Sequence, residues 1–179
     1  SLWTKKRDRD GYTEHIPTDK PLRPMLAKKY KEDGKHIKFP CFVQPKLNGL
    51  RCLAFVKDGH VKLVSRKNVE WKSLSHLVEE LSDFPDGIYD GELYIHGPLF
   101  NNIIGAVKRA EANELSAHVE LHIYDFVEDA TAYVFRLDKI VDKLPDGRKF
   151  VHFVETRTIT SASLVDDFHD SYVDKGYEG

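Results

Sequence analysis

The sequence predicts an α+β fold, with antiparallel sheets flanked by helices. Two patterns carry this. Short apolar runs are broken by Asn48-Gly49 and Asp58-Gly59, dipeptides that favour tight hairpins because both turn positions take φ > 0. Elsewhere apolar residues recur at i, i+3, i+4 and i+7, the stripe of an amphipathic helix. The order of strands and helices reads as hairpins rather than βαβ units.

The elements follow in order. Residues 1–20 are polar, charged and without period, which predicts an exposed lead-in or the end of an upstream region. Pro21 and Pro24 keep the next stretch from being helical throughout. Residues 28–38 are basic and predict a weak helix or loop. Residues 42–47, 50–56 and 60–64 then predict a three-stranded antiparallel meander, turning at Asn48-Gly49 and Asp58-Gly59. Ser73 caps a helix with Leu74, Leu77, Val78 and Leu81 on one face, ended by Pro85-Asp86-Gly87. A strand over 88–95, a helix over 99–110 and a strand over 119–127 come next. Val134, Leu137, Val141 and Leu144 mark another helix, closed by Pro145-Asp146-Gly147. Residues 150–159 predict one strand. Ser161 caps a last helix with Leu164, Val165, Phe168 and Tyr172 on one face, and Lys175-Gly176 ends it.

Composition bounds the function. The chain has 179 residues, 41% hydrophobic and 31% charged, enough apolar material for a core without disulfides or metals. No run of eighteen apolar residues exists, so no membrane-spanning helix is expected, and the first residues lack the apolar stretch of a secretory signal. Cys41 and Cys52 are too few for a disulfide framework, which fits a reducing, cytoplasmic setting. The net charge of −2 hides a split: residues 1–72 carry +10 and residues 73–179 carry −12. A basic first part points to a polyanion such as nucleic acid or nucleotide phosphates, unless the halves neutralise each other in the fold. The nine histidines show no metal-ligand spacing, and no Gly-rich phosphate loop precedes a lysine, so neither a structural metal nor a P-loop is expected.

The chemistry concentrates at Lys46-Leu47-Asn48-Gly49-Leu50-Arg51. Taken alone, Lys46 and Arg51 are solvated strand residues beside a turn. An amine is a nucleophile only when deprotonated, and a nearby cation or burial favours that form. Arg51, a permanent cation, sits five residues on. Further along stand Ser65-Arg66, Asp90-Gly91-Glu92-Leu93, Tyr124-Asp125-Phe126-Val127 and Glu178-Gly179. Each has a plain structural reading by itself, as a strand end, a turn or a core aromatic.

Together and in this order, these segments resemble the motifs of the covalent nucleotidyltransferases, the ATP-dependent DNA ligases in particular. Lys46 to Arg51 is similar to motif I, Lys-x-Asp-Gly-x-Arg, and Pro24-Met25-Leu26-Ala27 to a segment that DNA ligases carry shortly before it. Ser65-Arg66 resembles motif Ia, Asp90 to Leu93 motif III, Tyr124 to Val127 motif IIIa, and Glu178-Gly179 the opening of motif IV. The resemblance implies a nucleotidyltransferase (adenylation) domain over 21–179, incomplete at the C-terminus. Motif V and an OB-fold domain are expected beyond Gly179.

It implies roles residue by residue. Lys46 is the catalytic nucleophile, attacking the α-phosphate of ATP and holding AMP as a phosphoramidate. Gln44 touches the adenine edge, Tyr124 stacks on adenine, and Arg51 and Arg66 contact phosphate and ribose oxygens. Glu92 holds the ribose hydroxyls or assists the metal, and Glu178 binds Mg²⁺, with Mn²⁺ as an alternative. The cofactor is ATP and the partner is nicked duplex DNA, with no membrane and a monomer, in a bacterial or virus-infected cell. RNA ligases and capping guanylyltransferases share motif I, and a non-catalytic nucleotide- or nucleic-acid-binding module is the rival of another class. DNA binding by this stretch alone is expected to be weak and strongly salt-dependent.

Asn48 stands where motif I usually has aspartate. The amide removes an anion near the nucleophile and a possible partner for a hydrated metal. Asn48→Asp is therefore expected to change the Mg²⁺ and Mn²⁺ dependence of adenylation. Titration of each metal against AMP transfer checks this, and an unchanged dependence contradicts it.

Overall fold

A computed structural model describes Leu22 and residues 24–97, 100–109, 111–143 and 147–179. The expected lead-in over 1–20, and Leu99, Ala110, Leu144 and Pro145-Asp146, lie outside the described residues. The chain forms two compact units, one containing residues 49–153 and the other built from 25–48 and 154–179.

The first unit is a five-stranded sheet in the order β3-β2-β4-β5-β6. Its strands are β2 (Leu50–Lys57), β3 (His60–Ser65), β4 (Gly87–Tyr94), β5 (Glu120–Phe126) and β6 (Val151–Phe153). The expected hairpin at Asp58-Gly59 forms: Asp58 has φ 50° and Gly59 φ 74°, and Lys57 pairs with His60 across it. Strand alternation then sorts side chains. Cys52, Ala54, Tyr89, Leu93, Leu121 and Ile123 enter one buried cluster, joined by Leu74, Leu77 and Leu81 from α2 (Ser75–Leu81) and Ile140 from α4 (Tyr133–Lys143). Each fully buried leucine or isoleucine there contributes about 1.5–3 kcal/mol. The opposite face carries Arg51, Asp90, Glu92, His122 and Tyr124 beside a smaller cluster of Leu53, Val64 and Ile88.

Three expectations fail in this unit. Ser73 does not cap α2: its hydroxyl donates to the Val107 carbonyl at 3.2 Å, and Leu74 takes the N-cap position. The helix expected over 99–110 is α3 (Phe100–Val107), which ends before Lys108 and Arg109. β5 and β6 run parallel, so one βαβ unit exists, with α4 as its crossover. β6 is an edge strand, and its N-terminal end is capped by a side chain. The Glu80 carboxylate accepts from Phe150 N and Val151 N at 3.0–3.1 Å.

The second unit pairs β1 (Cys41–Val43) with β7 (Arg157–Ile159), antiparallel. It also holds the short α1 (Tyr30–Asp33), the 3₁₀ turn Gly34–His36 and α5 (Ser163–Asp174). β1 thus finds its partner in β7, and the expected 42–65 meander is reduced to the β2–β3 hairpin. Pro45 supplies no N–H for a ladder, and the Lys46 backbone is already used by residues 178 and 179. Neither Asn48 nor Gly49 takes the left-handed conformation of a hairpin turn. The predicted strand over 150–159 also divides, because its two ends serve different sheets. Ser161 does not cap α5, whose N-cap is Ala162 without a side-chain bond.

The end of α5 is as expected. Gly176 is left-handed, with φ 86°, its N–H bonds the Val173 carbonyl, and Tyr177 N bonds the Tyr172 carbonyl. This is a Schellman cap.

Two glycines of the first unit are there for close approach rather than for turning. A Cβ on Gly49 would meet the Leu93 carbonyl oxygen at 2.3 Å, and one on Gly91 would meet the His122 carbonyl oxygen at 2.5 Å. A Cβ on Gly105, inside α3, meets nothing within 4 Å. Gly91→Ala is therefore expected to lower unfolding stability by about 1–3 kcal/mol. Gly105→Ala is expected to raise it by about 0.5–1 kcal/mol through helix propensity. Urea denaturation of the two variants checks the opposite signs.

Candidate active site

In the second unit, Lys46 is held at both ends of its peptide. Its N–H donates to the Gly179 carbonyl at 2.6 Å, and its carbonyl accepts from Glu178 N at 3.0 Å. The pairing draws the Glu178 carboxylate onto the Lys46 ammonium as an ion pair, with both side chains about half exposed. Two residues earlier, Gln44 Nε2 donates to Thr156 Oγ1 at 2.8 Å. Lys46 and Glu178, distant in sequence, are thus brought together.

In the first unit, the geometry centres on a bulge. Asp90 pairs with Asp125 and Gly91 with Ile123, so Tyr124 is an extra residue in β5. The missing side chain at Gly91 lets the β5 backbone close in at this point. The bulge also resets the alternation. Leu121 and Ile123 face the core before it, and Phe126 faces the core after it, which leaves Asp125 on the polar face. Tyr124 is clamped from two sides: the Tyr133 hydroxyl donates to its carbonyl at 2.9 Å, and the Arg51 guanidinium lies 5.0 Å from its ring centre.

Arg51 is itself pinned. Its Nε and Nη2 donate to the two carboxylate oxygens of Asp90, each at 2.5 Å, a bidentate pair with little solvent access. Glu92 lies directly across from Arg51 in the β2–β4 ladder. Burial pushes the Asp90 carboxyl up, Arg51 opposes this, and Asp125 adds to it. Asp125 has its own partner in Arg136, whose Nε and Nη2 donate to it at 2.8 and 2.9 Å. Burial, aided by Asp90, keeps the Tyr124 phenol neutral. Burial likewise raises the Cys52 thiol far above its ordinary value, so Cys52 is no rival nucleophile.

Arg51, Glu92 and Tyr124 therefore share one sheet face, as expected of a common site. Arg66 is exposed in the tight turn after β3, where Ser65 Oγ accepts from Val69 N at 3.0 Å. Asp90, Asp125, Arg136 and Thr156 were not assigned roles from the sequence. Asp90 and Asp125 sit inside the quoted motifs, so their identities were visible. Their partners were not, because a bidentate pair across strands leaves no periodic signal.

Removing Arg51 leaves the Asp90 carboxylate buried without its counter-charge. Arg51→Ala is expected to cost about 3–5 kcal/mol of stability at neutral pH. Burial already raises the folded-state carboxyl above its unfolded value, and loss of Arg51 raises it further. The folded variant then binds a proton that its unfolded chain has released, so its stability falls as pH rises through that window. The deficit relative to the unsubstituted chain should shrink as pH falls from about 8 toward 5. Urea denaturation at several pH values checks this.

Comparison with known proteins bears on the family and the fold. The pattern of the ATP-dependent DNA ligase domain family matches residues 24–179. The chain is 27% identical to the DNA ligase of Enterobacteria phage T6 over 215 aligned residues, covering 89% of this chain and 44% of that one. It is 42% identical to the DNA ligase of Enterobacteria phage T4 over 91 residues, 42% of this chain and 19% of that protein. The fold matches the Chlorella virus DNA ligase–adenylate structure with a TM-score of 0.70 at 23% identity, covering 88% of this chain and 57% of that one. The chain spans less than half the length of these phage relatives. The family pattern spans most of the sequence, and the chain belongs to the ATP-dependent DNA ligase domain family.

Proposed function

We propose that this domain carries out the adenylation step of nick sealing, with Lys46 as the nucleophile. The observation that supports this best is the Lys46–Glu178 pair, built on a two-way backbone bridge. The neutral Lys46 amine attacks the α-phosphorus of ATP. A P–N bond forms, the P–O bond to pyrophosphate breaks, pyrophosphate leaves, and the amine proton goes to solvent. AMP then passes to the 5′-phosphate at a nick, and the 3′-hydroxyl attacks that phosphate and expels AMP. The substrate is nicked duplex DNA, and the protein acts as a monomer in the cytoplasm of a bacterial or virus-infected cell.

The remaining residues orient the nucleotide. One face of the Tyr124 ring carries the Arg51 guanidinium, so adenine stacks on the other. Gln44 reads the adenine edge from its support on Thr156. Arg51 and Arg66 meet phosphate and ribose oxygens, and Glu92 holds the ribose hydroxyls. The carboxylates of Glu178 and Glu92 are the hard oxygen donors that suit Mg²⁺ or Mn²⁺. When bound, such a cation neutralises charge developing on the phosphate oxygens.

Asn48 in motif I favours a non-catalytic binding module. Incubation with α-labelled ATP, GTP or NAD and Mg²⁺ or Mn²⁺ separates the readings. Acid-labile label from ATP, abolished in Lys46→Ala, is the expected result. Tyr124→Ala should weaken nucleotide capture by about 1–3 kcal/mol through lost stacking. Label from GTP alone overturns the ligase reading, and no label from any of the three points to the binding module.

A further inference from the structure

The β5–β6 edge of the first unit holds a cluster that the DNA ligase motifs do not use. His122 on β5 and His152 on β6 are directly paired across the parallel ladder, and Glu120 lies two residues before His122 on the same face. One ligand atom from each of Glu120, His122 and His152 falls within 4.8 Å of the others. His122 Nε2 lies 2.8 Å from Glu120 Oε2, and His152 Nε2 lies 3.6 Å from the same oxygen. The two imidazole rings are 5.1 Å apart, centre to centre.

A further feature bears on what this cluster does. His152 Nε2 is closed off from solvent and has no hydrogen-bond partner, since Glu120 Oε2 is beyond reach. A buried ring nitrogen in that state calls for an explanation by a ligand or a bound water.

We propose that Glu120, His122 and His152 form a zinc site that ties the short edge strand β6 to β5. In tetrahedral Zn²⁺ coordination, ligand atoms about 2.0–2.1 Å from the metal stand about 3.3 Å from one another. The two separations to Glu120 Oε2, 2.8 and 3.6 Å, bracket that value, and all three ligand atoms lie within 4.8 Å of one another. Two imidazoles and one carboxylate fill three positions and leave the fourth to water. The ion lies one strand from Glu92, which faces His122 in the β4–β5 ladder, and its charge would be felt there. Sequence spacing gives no sign of the site. Its histidines are far apart in the chain and meet only because β6 returns parallel to β5.

The test uses the whole chain, stripped with a chelator and dialysed. Zn²⁺ is titrated against a chromophoric competitor, and Co²⁺ is followed by visible absorption. One Zn²⁺ per chain is expected, with the intense d–d bands of tetrahedral Co²⁺ and a higher melting temperature in Zn²⁺. His152→Asn and Glu120→Gln should each weaken binding by more than about tenfold and remove the tetrahedral signature. His36→Asn and His169→Asn, at exposed positions of the other unit, should change nothing. Circular dichroism of the metal-free variants verifies that they are folded. No stoichiometric binding, an octahedral Co²⁺ spectrum, or binding that survives His152→Asn with Glu120→Gln overturns the proposal.

Discussion

The extra residue in β5 at Tyr124 fixes which way every later side chain of that strand faces. A strand without it would turn Asp125 into the core and Phe126 out to the polar face, since strand side chains alternate strictly. The bulge reverses this parity between Ile123 and Asp125. Phe126 can then pack edge-on against Tyr89, with ring centres 5.3 Å apart, while Asp125 meets Arg136. The close approach at Gly91 accommodates it. The aromatic proposed to stack on the base is therefore held by backbone geometry as well as by Tyr133 and Arg51.

The ion pairs of the two units differ in kind. Arg51 and Asp90 are shielded from water and bonded twice, so each holds the other in one rotamer. In low dielectric such a pair is costly to break and contributes rigidity more than net stability. Lys46 and Glu178 are about half exposed, where an ion pair is worth about 0–1 kcal/mol. A pair that weak can be exchanged for other partners. The rigid pair holds Arg51 beside the Tyr124 ring, and the exchangeable pair includes the residue proposed to react with the nucleotide.

How far the sequence foretold this depends on what kind of signal each feature leaves. The Asp58-Gly59 hairpin was legible because its chemistry is local: both residues take the left-handed backbone that the dipeptide favours. The helix stripe Leu74, Leu77, Leu81 was legible because periodicity reports a buried face. Periodicity does not report a partner. It could not show that β1 pairs with β7, that β6 runs parallel to β5, or that residues 150–159 serve two sheets. Asn48-Gly49 misled for a related reason. The glycine there answers to the backbone of β4 against it, and a close approach and a tight turn look the same in one dimension. Among the candidate site residues, the sequence placed Lys46, Arg51, Glu92, Tyr124 and Glu178 by motif. Asp90, Arg136 and Thr156, which hold or neighbour them, required the fold.

The Schellman cap on α5 has a consequence for the position of Glu178. The cap fixes the direction in which the chain leaves the helix, and only Tyr177 separates Gly176 from Glu178. The rotation of α5 about its own axis is therefore read out as the placement of the Glu178 carboxylate. Ending the helix one residue later would swing that exit by about a quarter turn, since each helical residue advances 100°. Tyr172, buried and in edge contact with Tyr177, resists such a rotation. The helix thus serves as an indexing pin for the Lys46 counter-ion, set by packing some distance from the charge it aligns.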